Sequence, residues 1–176
     1  MSIHQVHKDF DTLVRAAAVL RQRGRGDIEM KLTGNAEDNQ FSRRTAALVR
    51  ELQLEETVHF VGLVPNDHIH ALYRSADLFA FPSWAETFGI PLVEAMACGL
   101  PIVAADIEVN REVAADAAVY HRPSDPEALA DRILHVLDDS SLARRLAETG
   151  RERAQQFTWE RAARQTLAAL EAAARR

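Results

Sequence analysis

The 176-residue chain is short of most features that would announce a function by themselves. Its one cysteine, Cys98, excludes an internal disulfide and suits a reducing compartment. The longest apolar runs are far too short to span a bilayer and no signal peptide opens the chain, so a soluble, cytoplasmic protein is expected. A net charge of only −5 implies no polyanion-binding surface, and no nucleic acid is expected as a partner. The seven glycines form neither a G-x-G-x-x-G turn nor a Walker A loop, which excludes a dehydrogenase-type dinucleotide site and a P-loop. The seven histidines make no ligand set: His68 and His70 stand two apart on an expected helix, and His4 and His7 lack acidic partners. No metal is expected. Lysine is scarce too, since only Lys8 and Lys31 among 21 basic residues are not arginine. A retained lysine hints at a need for a compact ammonium. There is no low-complexity linker and no repeat, and Cys98 beside Gly99 reads as a small core residue.

What is present is an alternation of strands and helices. Met1 to Ile3 reads as the end of a strand, followed by a loop through Lys8. Phe10, Leu13, Val14, Ala17 and Leu20 keep helical spacing until Gly24 or Gly26. Asp27 to Thr33 reads as a strand, Leu48 to Leu52 as part of a helix, and Val58 to Val61 as a strand. Pro65-Asn66 reads as the cap of a helix with Ile69, Leu72, Tyr73 and Ala76 inward, and Leu78 to Phe81 as the next strand. A strand at Ala117 to Tyr120, a helix capped by Asp125-Pro126-Glu127, another after Ser140 and a last one capped by Thr158 complete the pattern. This spacing predicts an α/β fold with a doubly wound, Rossmann-like parallel sheet in a single domain, 1–176.

The densest segment runs from Phe81 to Ala104. It reads as a strand end, a loop carrying Glu86, a helix opened by Pro91 and stopped by Gly99, and a second apolar strand. Glu86 therefore sits at the carboxyl end of a strand and just ahead of a helix N-terminus, where open α/β sheets bind ligands and free N–H groups attract phosphate. Glu86 and Glu94 form an E-x7-E pair around Phe88-Gly89-Ile90-Pro91.

The run from Pro82 through Val103 resembles the donor-site signature of GT-B retaining glycosyltransferases of the glycosyl-transferases-group-1 type. The resemblance spans His7-Lys8 to Phe157-Thr158-Trp159, only the C-terminal half of such an enzyme. It implies a nucleotide-sugar-binding domain that moves a sugar from a nucleoside diphosphate sugar to an unknown acceptor without a cofactor or metal. It also implies that an N-terminal acceptor domain is missing and that the isolated half is inactive. A non-catalytic nucleotide-binding module or partner-dependent subunit is the alternative, and a nucleotide-sugar epimerase is a more distant one. By resemblance Glu94 accepts hydrogen bonds from ribose hydroxyls, against the plainer reading of a helix-dipole partner. Glu86 lies by the donor sugar as the catalytic candidate, stabilising charge at the anomeric carbon or orienting a hydroxyl. Thr87, Phe88, Gly89 and Ile90 offer backbone N–H groups to the sugar or diphosphate. Lys8 matches a lysine near the diphosphate, while its usual arginine companion falls on Ile3, so that pair is broken or the native chain was cut close by. Gly34 and Gly62 either open room for base and diphosphate or make turns, and Glu112 either matches a frequent acidic position or caps a helix. Residues 159–176 correspond to a helix that crosses back to the absent domain. Its stripe of Ala162, Ala163, Thr166, Leu167 and Leu170 packs on its own sheet or is left as a partner surface. The absent domain leaves peripheral membrane association open, and the stripe leaves self-association open.

Overall fold

Residues 5–175 are described in a computed structural model of the chain, so the strand expected at Met1 to Ile3 lies outside the described residues. Among the described residues five short strands, β1 (Met30–Leu32), β2 (Val58–Phe60), β3 (Phe79–Phe81), β4 (Ile102–Ala105) and β5 (Ala118–His121), are separated by helices and all pair in parallel. Eight α-helices among the described residues accompany them: α1 (Phe10–Gln22), α2 (Gln40–Glu51), α3 (Ile69–Arg74), α4 (Ile90–Cys98), α5 (Glu108–Ala114), α6 (Pro126–Asp138), α7 (Ser140–Ala154) and α8 (Trp159–Ala174). The described strands form two parallel sheets, β1-β2 and β3-β4-β5, in the parallel α/β class expected.

The layers follow from the two-residue period of a strand. In β4 every residue is buried, as in a strand covered on both faces. Val103 packs in the cluster that holds Leu13, Val14 and Leu20 of α1 and Leu129, Ile133 and Val136 of α6. Its neighbours Ile102 and Ala104 pack in the opposite cluster, with Leu92, Ala95 and Met96 of α4 and Val113 of α5. Leu32 and Val58 join the first cluster, so the two sheets share one apolar layer. Gly150 is buried, and a Cβ there would lie 3.4 Å from the Met96 Cγ, which is how α7 comes to rest on α4.

Several boundaries differ from the sequence-based ones for local reasons. The first strand begins only at Met30, because the residues before it are held in a turn in which the Ile28 N–H donates to the Arg25 carbonyl. Pro65 closes a separate turn with His68, and α3 starts at Ile69. Pro91 is the second residue of α4, behind Ile90. The expected caps at Asp125 and Thr158 are present, accepting from Ala128 N and Arg161 N. Asn39 and Ser42 make a reciprocal capping box on α2 that the hydrophobic pattern did not signal. His121 is 2% exposed, its Nδ1 on the Arg122 carbonyl, and its Nε2 has no hydrogen-bond partner among the described residues. Every described residue of α8 is exposed, Trp159 at 86%, and none belongs to either core cluster, so the stripe does not pack on the sheet. Among the described residues no helix is long and apolar enough to cross a membrane.

Candidate active site

The site is assembled at the carboxyl ends of the strands by a backbone strap. Beyond β3 the chain turns through Pro82 and Ser83, both buried, and there it meets the 3-10 turn Val6–Lys8. The His7 carbonyl accepts from the Ser83 hydroxyl at 2.9 Å and from the Trp84 N–H at 3.0 Å. On the other side Asp9, left-handed at φ 51°, accepts from the Thr12 hydroxyl and from the Ser124 hydroxyl beyond β5. Lys8 lies between these two anchors. Its Nζ donates to Glu86 Oε1 at 2.6 Å and stands 5.7 Å from the centre of the Phe81 ring. The side chains of Lys8 and Glu86 are 20% and 9% exposed, so the pair is shielded but can be reached.

From Glu86 the chain runs out along the surface to α4. Gly89 is buried in the left-handed region at φ 84°, where a side chain would be strained and a Cβ would meet Leu92 at 3.2 Å. Thr87, Phe88 and Ile90 are exposed. The backbone N–H groups of Thr87, Phe88, Gly89 and Ile90 donate to nothing among the described residues. Phe88 rests edge-on against Phe157, with ring centres 5.6 Å apart. Glu94, one turn further into α4, accepts from the Tyr73 hydroxyl at 3.0 Å on Oε2. A primary ammonium, a run of unspent N–H groups and two carboxylates thus share one sheet edge. This set can hold a small phosphate-bearing anion next to a group bearing hydroxyls.

Not every expected residue joins it in the expected way. Gly34 and Gly62 form a backbone bridge with each other, Gly34 N to Gly62 O at 2.8 Å and the reverse at 3.2 Å, so their N–H groups are already used. Glu112 lies towards the C-terminal end of α5, which rules out the capping role; its carbonyl accepts from Arg153. Cys98 is half-buried with Sγ 3.6 Å from His70 Nδ1, and burial pushes its thiol pKa up, away from the activated range. Among the described residues no group of three or more His, Cys, Asp or Glu is gathered for a metal.

The sequence profile described as "Glycosyl transferases group 1" matches residues 4–153, most of the chain and all of this site. The chain belongs to that family. Within the glycosyl transferases group 1, it is 36% identical over 120 residues to the O-antigen chain mannosyltransferase B of Escherichia coli, covering 68% of this chain and 32% of that protein. It is 35% identical over 161 residues to a D-inositol 3-phosphate glycosyltransferase of Salinispora arenicola, covering 86% and 35%. The solved structure of Anabaena HepE in complex with UDP superposes with a TM-score of 0.83 at 26% identity, over 98% of this chain and 47% of that one. The fold is that of the GT-B glycosyltransferases, and the chain spans about a third of the length of the two curated relatives.

Three contributors to this candidate site were not singled out from sequence. Tyr73 was expected only as an inward-facing residue, and nothing in helical spacing says that its hydroxyl meets Glu94. Ser83 stands inside the Phe81–Ala104 segment, yet its contact is with His7, 76 positions away. Asp9 was not singled out at all; the Thr12 and Ser124 hydroxyls that donate to it make it a tie between loops.

Proposed function

We propose that this domain binds the nucleoside diphosphate sugar donor of a retaining glycosyltransferase, as the C-terminal half of a longer enzyme whose other half binds the acceptor. The observation that carries the reading is the 2.6 Å meeting of Lys8 with Glu86 directly ahead of the unspent N–H groups of residues 87–90. The diphosphate takes those N–H groups and the Lys8 ammonium, which replace a divalent cation as the source of positive charge. Glu94 takes the ribose hydroxyls on its carboxylate. When the bond between the anomeric carbon and the diphosphate oxygen breaks, its electron pair goes to the diphosphate and negative charge grows there. Lys8 stabilises that charge more than it stabilises the ground state, so it favours departure. Glu86, released from Lys8, then faces the sugar, where a carboxylate stabilises positive charge at the anomeric carbon or orients a hydroxyl. The UDP in the solved HepE complex supports a uridine nucleotide as the first to try. The exposed α8 is the segment that crosses back to the acceptor half.

Calorimetric titration of the chain with UDP, GDP and ADP in EDTA tests the reading. One of the three should bind without metal. Binding that appears only after magnesium or manganese is added, or that appears for none of them, would overturn it.

A further inference from the structure

We infer that Tyr73 is a positioning residue for Glu94: its hydroxyl holds one carboxylate oxygen so that the other is preset toward the nucleotide ribose. The inference rests on the reading of Glu94 as the ribose ligand. Tyr73 sits on α3, packed into the apolar cluster that holds Leu92, Ala95 and Met96 of α4, with its ring edge-on to Phe79 at 5.5 Å between centres. The ring therefore cannot swing freely, and its hydroxyl donates to Glu94 Oε2 at 3.0 Å. Burial, and then the Glu94 charge, push the phenol well above its ordinary pKa, so it stays protonated and remains a donor at any working pH. An ionised carboxylate has about four lone-pair positions. One is taken by Tyr73, which fixes the plane of the group and leaves Oε1 for hydroxyl donors. Without the tether a glutamate in the second turn of a helix keeps its side-chain freedom until ligand arrives. Ordering it at that moment lowers affinity by about three- to tenfold.

The test compares the tightest binder among UDP, GDP and ADP with its 2′,3′-dideoxy form, on the wild-type chain and on Tyr73→Phe, which keeps the ring and its packing. Urea melting of both proteins checks the fold. The wild type should prefer the ribo form. Tyr73→Phe should lose three- to tenfold toward that form alone, and should lose nothing further in a Glu94→Ala background. A wild type that does not distinguish the two forms, or binds none of the three diphosphates, overturns the assignment of Glu94 and this inference with it. A wild type that does distinguish them, with Tyr73→Phe keeping the full preference, overturns the positioning role alone. Equal weakening toward both forms also overturns it, because a purely structural residue would act that way.

Discussion

Glu86→Gln should make the protein bind plain nucleoside diphosphate more tightly. In the free protein the Lys8 ammonium is spent on Glu86 at 2.6 Å, and a diphosphate must compete with that carboxylate for it. Solvent-exposed ion pairs are worth about 0.2–1 kcal/mol, and breaking fully buried ones costs about 3–5 kcal/mol. With side chains 20% and 9% exposed, this pair lies between those cases but keeps a solvent route. About 1–2 kcal/mol of the attraction Lys8 could offer a diphosphate is therefore held by Glu86, equivalent to roughly a 5- to 30-fold change in affinity. Glutamine keeps the shape and a neutral acceptor for Lys8 but gives up the competing charge. Titration calorimetry with EDTA at about 0.15 M salt, where long-range fields are screened to about 8 Å, reads the local effect. The same substitution in a Lys8→Met background must give no gain, since the benefit passes through the ammonium. A Glu86→Gln protein with an unchanged urea midpoint and unchanged or weaker affinity would refute the reasoning. So would an equal gain in both backgrounds, which would mean that any negative charge at the mouth repels the ligand.

Glu94→Ala should weaken nucleotide binding by about 1–3 kcal/mol, read in the same titration, because a charged acceptor for two hydroxyls is removed. Burial holds the His121 imidazole below its ordinary pKa, so the unfolded chain takes up a proton near pH 6.5 that the folded chain refuses until lower pH. Its contribution to stability is complete above that value and falls as pH drops through it, by at most about 1.4 kcal/mol per unit. Urea midpoints between about pH 7.5 and 5.5 should therefore decline, and more gently in His121→Phe. Removal of residues 159–176 should change unfolding free energy by no more than about 0.5 kcal/mol, since α8 buries nothing in either core. Its amides should be the quickest to exchange among the helices, and a loss of several kcal/mol on truncation would mean that α8 packs on the body.

The parallel α/β class was legible because it rests on periodicity, and each of β1 to β5 overlaps the strand expected for it. The ends were not legible where a backbone turn takes up the chain ahead of the ladder, as the Ile28 N–H on the Arg25 carbonyl does before β1. At the site, the residues within the Phe81–Ala104 segment could be found together because they are consecutive. Contacts that cross the fold could not: Lys8 with Glu86, Tyr73 with Glu94, His7 with Ser83. Lys8 was found through its scarcity and its register, but its partner was not foreseen. Gly34 and Gly62 show the converse, since two glycines placed alike at strand ends turned out to satisfy each other. A sequence pattern shows that a glycine ends a strand, and only three dimensions show where its N–H points.

The strap at His7 also sets when the site comes into being. Its carbonyl waits for a hydroxyl 76 positions further along, and Lys8 waits for a carboxylate 78 positions away. At ribosomal rates of about 5–20 residues per second, that interval lasts roughly 4–16 s. Contacts so distant in sequence form only after the entropy of the intervening loop has been overcome, which places them late in folding. The hydrophobic layer of α1 with β1 and β2 can begin to collapse as soon as it emerges, while the lysine above it stays in water with no counter-ion from Glu86. A ribosome stalled before Phe81 therefore carries this domain with less than half of its core and without the Lys8–Glu86 pair.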